Sequence, residues 1–180
     1  MPDPNPTSNK GRVILGLDPG LAITGYGIIR CGSKVQIIEA GVIRVRRDQP
    51  METRLKELYT GVLELFETVP IDEVAVEQLY SHFERPRTAI LMGHARGVLF
   101  LAAANAGKEV HSYASTKVKS LMTGNGRASK PQMQLAVQQQ LMLKEVPDPP
   151  DVADALAIAL CHHFATGPIA ELLNKSRKQH

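Results

Sequence analysis

Residues 155–160, Ala-Leu-Ala-Ile-Ala-Leu, form an unbroken apolar run, and two aspartates, Asp151 and Asp154, stand just ahead of it. Pro147, Pro149 and Pro150 stop any helix before them, so the pattern predicts a helix over Asp151–Phe164. A helix that is apolar nearly all round has no face to give to water. The rest of the chain must wrap it, and its acidic start must face something other than open solvent. Asp151 and Asp154, three residues apart, share one helix face. That start has a second reading, in which Asp151 caps the helix and Asp154 favours its dipole.

A chain of 180 residues fits a single domain with one sizeable core. Aromatic residues make up 4% and Trp is absent, so Leu, Val, Ile and Ala must build that core. The two cysteines, Cys31 and Cys161, give neither a disulfide framework nor a zinc ligand set, and read as free thiols of a cytoplasmic protein. The longest charge-free apolar run lies within Val98–Ala106, well short of the ~20 residues that cross a membrane. Residues 1–11 are expected to be a disordered, Pro-rich extension, residues 12–166 a single domain, and residues 167–180 a basic tail.

Val13–Leu17 is a short apolar strand ending in the turn signal Asp18-Pro19-Gly20. Thr24–Arg30 and Val35–Val45 follow at short spacing, which predicts a three-stranded antiparallel meander. Glu52–Thr68 shows helical spacing of Leu55, Leu58, Val62, Leu65 and Phe66. Glu73–Gln78 is a strand, Pro86–Ala106 a long helix and Val110–Tyr113 another strand. Ser129-Lys130-Pro131-Gln132 fits a capping box that opens a helix running to about Leu143. The expected order is β-β-β-α-β-α-β-α-α. It describes an α/β fold: a mixed sheet, with the meander joined to parallel strands, flanked by helices.

Asp18 and Glu77 end two of these strands, where sites in such sheets collect. Each has a bland alternative, Asp18 as the first residue of a turn and Glu77 as a strand end emerging into water. Together with Asp151 and Asp154 they come from two strand ends and one helix start, which an α/β sheet can bring together. Four clustered carboxylates repel, and some stay protonated unless cations neutralise them. Hard divalent cations with oxygen ligands do so, and two of them about 3.5–4 Å apart serve phosphodiester hydrolysis.

Charge distribution points to a polyanionic partner. Ser81–Lys130 carries eight basic residues against two acidic ones, net +6, in a chain whose total is +3. Tyr80, with Arg85 and Arg87 close behind, mixes aromatic and basic side chains as base stacking and phosphate contacts require. Arg127 and Lys130 flank a helix start after Gly124-Asn125-Gly126, where backbone N–H groups favour phosphate. Gly93 and Gly97 let another helix approach closely, within one core or across an interface. His162 and His163 read as a helix end rather than as metal ligands.

Gly16-Leu17-Asp18-Pro19-Gly20-Leu21 followed by Thr24-Gly25-Tyr26-Gly27 resembles the opening of the RuvC family of bacterial Holliday junction resolvases. Val76-Glu77-Gln78, His94-Ala95-Arg96-Gly97 and Asp151-Val152-Ala153-Asp154-Ala155-Leu156-Ala157 resemble its later signatures in order and spacing, over roughly Arg12–Phe164. The resemblance implies a ribonuclease H-like fold and a homodimer that cuts two opposed strands of four-way junction DNA with Mg²⁺ or Mn²⁺. It implies that Asp18, Glu77, Asp151 and Asp154 are the metal ligands, and that Lys119 and Lys130 lie near the scissile phosphate. It places Tyr80 at a junction-stacking position and makes the branch-migration proteins RuvA and RuvB partners. Two other readings remain at this stage: a phosphotransferase of the related actin-like fold, although no Walker motif is present, and a junction-binding module without catalysis.

Overall fold

Alternation along the first strand decides the layering. In the computed structural model, which describes residues 11–79 and 86–167, β1 (Arg12–Asp18) sends Val13, Leu15 and Leu17 to one side of the sheet and Ile14 to the other. β2 (Ile23–Cys31) and β3 (Val35–Arg44) continue it as the expected antiparallel meander. β4 (Glu73–Glu77) and β5 (Val110–Tyr113) then add on in parallel, giving the order β3-β2-β1-β4-β5.

The parallel strands need crossovers, and helices supply them. α1 (Met51–Thr68) links β3 to β4 and α2 (Pro86–Asn105) links β4 to β5. Both cover one face, where Leu58, Val62, Leu65, Ala95 and Leu99 pack on Leu15, Leu17, Val74 and Val76. The other face is covered by α5 (Pro150–Thr166), with α3 (Ser115–Thr123) and α4 (Lys130–Gln140) outside it. Every residue from Ala155 to His162 is buried.

Glycines let that helix lie directly on the sheet. A methyl group at Gly16 would run into the backbone oxygen of Ala155, and one at Gly25 into the backbone oxygen of Asp151. The backbone of α5 therefore rests where side chains would otherwise stand, and its first turn is fixed over the ends of β1 and β2.

Three features depart from the expected pattern. α3 is an additional helix: only Val118 and Met122 of its nine residues are buried, too few to write a periodic stripe. α4 opens on the expected Ser129–Gln132 capping box but ends at Gln140, short of Leu143, where the backbone turns left-handed at Met142 (φ 51°). In α5 the cap position belongs to Pro149, so Asp151 is inside the first turn and does not cap the helix.

Candidate active site

β1 and β4 run side by side with Leu17 opposite Val76, so the next residues, Asp18 and Glu77, leave the sheet together. Asp18 also pairs with Gly25, the glycine on which the backbone of Asp151 rests. One helical turn along, Asp154 hangs on the same side of α5 as Asp151. Glu77 and Asp154 line a small cavity of about 40 Å³ together with Ser115 and Lys119.

The electrostatics report this convergence. Burial pushes the Asp18 carboxyl up to about 8; the charges of Glu77, Asp154 and Asp151 push the same way, and Lys130 opposes them. Glu77 is raised too, chiefly by burial, with a hydrogen bond from Ser115 and the charges of Lys119 and Lys130 pulling it back. Lys130 donates from Nζ to Asp154 Oδ2 at 3.3 Å, and that carboxylate raises the lysine in return. Among the described residues no three acidic, imidazole or thiol groups stand close enough to form a ready-made metal cage. Asp18 is within reach of the charges of the other three carboxylates and Glu77 of that of Asp154, while Lys130 pairs with Asp154.

The donor set nevertheless fits a hard divalent cation. It is all carboxylate oxygen, with no thiolate and no imidazole in it, which suits Mg²⁺-like ions rather than zinc. A cation would also offset the burial and the repulsion that together hold a proton on Asp18.

The turn after Asp18 is tied down from several directions. Buried Thr24 donates from its hydroxyl to Gly20 O at 2.6 Å and accepts from Gly20 N at 3.3 Å. Arg54 of α1 donates to Leu21 O at 3.3 Å, and Val45 N donates to Ala22 O at 3.0 Å. Arg96 of α2 donates to the backbone oxygen of Glu77 at 3.3 Å and to Ser112 Oγ at 2.7 Å, and lies over the Phe100 ring. Arg96 stood in the sequence as one cation of a basic stretch; its bonds make it a brace for the end of β4. Thr24, Arg54 and Ser115 carried no sequence signal for these roles beyond the position of Thr24 in the Thr-Gly-Tyr-Gly motif.

The remaining DNA-contact candidates are scattered. Lys119 is half-buried beside the carboxylates, whereas Arg87 and Arg127 are exposed, on the first turn of α2 and in the α3–α4 loop. Tyr80 and Arg85 lie outside the described residues. His162 and His163 lie near the C-terminal end of α5, as the sequence suggests. Fully buried, His162 meets the Tyr113 hydroxyl at Nδ1 and Glu73 Oε2 at Nε2, both at 2.6 Å, and stacks on His111. Among the described residues a methyl group at Gly93 or Gly97 would meet nothing, so their spacing does not serve packing between the described elements.

The model of the family described as crossover junction endodeoxyribonuclease RuvC matches residues 14–162. The chain belongs to the RuvC family. A relative from Rhodopirellula baltica, named crossover junction endodeoxyribonuclease RuvC, is 56% identical over 162 residues, covering 89% of this chain and 91% of its own. One from Desulforamulus reducens with the same name is 45% identical, covering 83% and 92%. The RuvC structure from Thermus thermophilus superposes with a TM-score of 0.78 at 34% identity, covering 85% of this chain and 94% of its own. A second structure of that protein, in complex with a Holliday junction substrate, gives 0.79 at the same identity, covering 85% and 93%. The fold is therefore ribonuclease H-like, and the chain is a crossover junction endodeoxyribonuclease of a divalent-metal-dependent family. Membership in RuvC decides against the phosphotransferase and the non-catalytic binding module.

Proposed function

We propose that Asp18, Glu77, Asp151 and Asp154 form the cutting site with which this RuvC enzyme resolves four-way DNA junctions, and that they hold two Mg²⁺ or Mn²⁺ ions. The observation that carries this reading is the raised Asp18 carboxyl at a meeting point of two strand ends and the first turn of α5. When bound, such ions supply charge stabilisation to the scissile phosphate and a lowered pKa to water.

The chain's own groups do the rest. Asp18 and Glu77, fixed on adjacent strands, set the floor of the site. Asp151 and Asp154 close it from the helix, which the glycine contacts hold at one height. Lys119 and Lys130 place positive charge beside Glu77 and Asp154, where the phosphate of a bound strand would lie. Arg87, Arg127 and the cluster of Tyr80 and Arg85 extend the DNA surface beyond the site, with stacking assigned to Tyr80.

The catalytic unit spans residues 12–166 and works as a homodimer, cutting two strands symmetrically because a two-fold protein matches a two-fold junction. An apolar stripe on α2 supports the dimer: Ile90 and Leu101 are exposed, with the open Gly93 and Gly97 between them. The branch-migration proteins RuvA and RuvB are proposed partners on family grounds.

The direct test offers a synthetic four-way junction, a linear duplex and a flap to the protein with and without Mn²⁺. Paired symmetric nicks on the junction alone are expected. Asp18→Asn and Asp154→Asn should bind the junction normally and cut it roughly 10³-fold more slowly or worse, about 4 kcal/mol of transition-state stabilisation. Near-normal cutting by Asp18→Asn in Mg²⁺ would sink the site assignment.

A further inference from the structure

Beside the cutting site, with Asp151 shared between them, a cleft of about 630 Å³ opens between the turn after β1, the start of α1 and the first turns of α2. Residues 20–23 form one wall and Met92 lines another, while Arg47, Arg54, Thr88 and Asp151 supply polar groups. Two guanidinium groups thus border one cleft, and among the described residues neither has a carboxylate partner in a salt bridge. Asp151 is the one acidic residue in the lining.

Arg54 is half-buried, and of its donors only the one to Leu21 O is engaged in the described residues. Its Nε is buried without a partner, so it is the terminal nitrogens that the cleft can present. Arg47 is exposed and makes no side-chain hydrogen bond among the described residues. Its neighbour Arg46, by contrast, is paired with Asp48 at 3.0 Å. The planar guanidinium fork matches phosphate oxygens two at a time. The apolar parts of the walls suit a sugar rather than a second charge.

We propose that this cleft holds the sugar–phosphate backbone of the substrate strand next to the scissile phosphate, with Arg47 and Arg54 each taking one backbone phosphate. The proposal rests on the reading that the neighbouring carboxylates cut DNA, and it gives that site a second basic border. Lys119 and Lys130 flank the carboxylates at Glu77 and Asp154; the arginine cleft flanks them at Asp151. A strand crossing the site would be gripped on both sides of the bond that breaks. Arg54 would also couple grip to chemistry, because the same side chain holds the turn that follows Asp18.

The test is the salt dependence of junction binding, measured by fluorescence anisotropy in EDTA so that no strand is cut. Each phosphate contact contributes about one unit to the slope of log affinity against log salt. Arg47→Gln and Arg54→Gln should each lower the slope by about one unit, and the double variant by about two. Arg54→Lys, which keeps the charge, should stay near the wild-type slope. Lys34→Gln, an exposed charge in the β2–β3 turn at the far end of the sheet, is the control and should leave the slope unchanged. Arg47→Gln lies outside the turn contacts, so its slope decides the matter even if Arg54→Gln melts early. Unchanged slopes in the arginine variants, or an equal fall in Lys34→Gln, would overturn the proposal. Adding Mg²⁺ to the same samples separates it from the reading beneath it. A wild-type protein that leaves the junction uncut defeats the cutting site, whereas one that cuts while the arginine slopes stay put defeats only the cleft.

Discussion

Asp18 shows what the proposed cutting site would cost the folded chain. Its carboxyl is raised from 3.8 to about 8, chiefly by burial and then by three neighbouring carboxylates. A raised folded-state value means that the folded protein holds this proton more tightly than the unfolded chain does. The contribution of Asp18 to stability is therefore intact below pH 4 and is lost as pH rises through 8. Asp18→Asn removes the titration. In EDTA the variant should match the wild type near pH 4 and become more stable than it by a few kcal/mol, on the order of 1.4 per pKa unit, by pH 8. Urea midpoints at several pH values check this, and a gap that fails to widen with pH would contradict the buried, repelled carboxylate. His162, lowered by burial, is common to both proteins and drops out of the difference. Asp18 was legible in the sequence as a strand-end acid. Its neighbours Thr24 and Arg54 were not, because a hydroxyl or guanidinium that bonds a backbone oxygen leaves no periodic or charge signature.

Among the elements, α5 was the most legible and α3 the least. An unbroken apolar run can only be buried, so the sequence placed α5 inside the fold and its acidic start at a boundary. α3 buries two side chains and exposes Lys117 and Ser120, so neither its hydrophobic pattern nor its charge stands out from a loop. How close α5 comes to the sheet was also hidden, since a glycine in a strand can equally mark a bulge or a turn. The structure resolves that ambiguity at Gly16 and Gly25, where the helix backbone occupies the space of a missing side chain. Gly25→Ala must therefore push the first turn of α5, with Asp151 and Asp154, away from Asp18. Overpacking of this kind costs about 1–3 kcal/mol of stability. Cutting should fall far more than stability does, by 10²-fold or so for a misplacement of about 1 Å. Thermal melting and junction cleavage on the same sample would check the split. A variant that melts earlier yet cuts at the wild-type rate would show that the height of α5 does not set the site.

For the whole molecule, the two faces of α2 meet different surroundings. Ala95, Leu99, Ala102 and Ala103 point inward against α1 and the sheet. Ile90, at 59% exposed, and Leu101, at 53%, point out on the other side, with Gly93 and Gly97 between them open to any approaching helix. Apolar residues thus lie on both faces of this helix although one of them is in water, and periodicity does not distinguish a core from an interface. The proposed dimer puts the outer face to use. A charge placed there would be desolvated on association and left without a partner, which costs several kcal/mol and separates the protomers. The double variant Ile90→Glu/Leu101→Glu should sediment as a monomer while keeping its melting temperature, because neither side chain belongs to the core. Each monomer retains Asp18, Glu77, Asp151 and Asp154, so on the proposed site assignment it can still cut a strand. What should disappear is the pairing of cuts. On a supercoiled plasmid with an extruded cruciform, the wild type should give linear molecules from two nicks in one encounter. The variant should give nicked circles, since relaxation after the first cut removes the junction. Linear product from a protein that sediments as a monomer would separate paired cutting from this face of α2. A protein that stays dimeric with both glutamates in place would move the interface elsewhere.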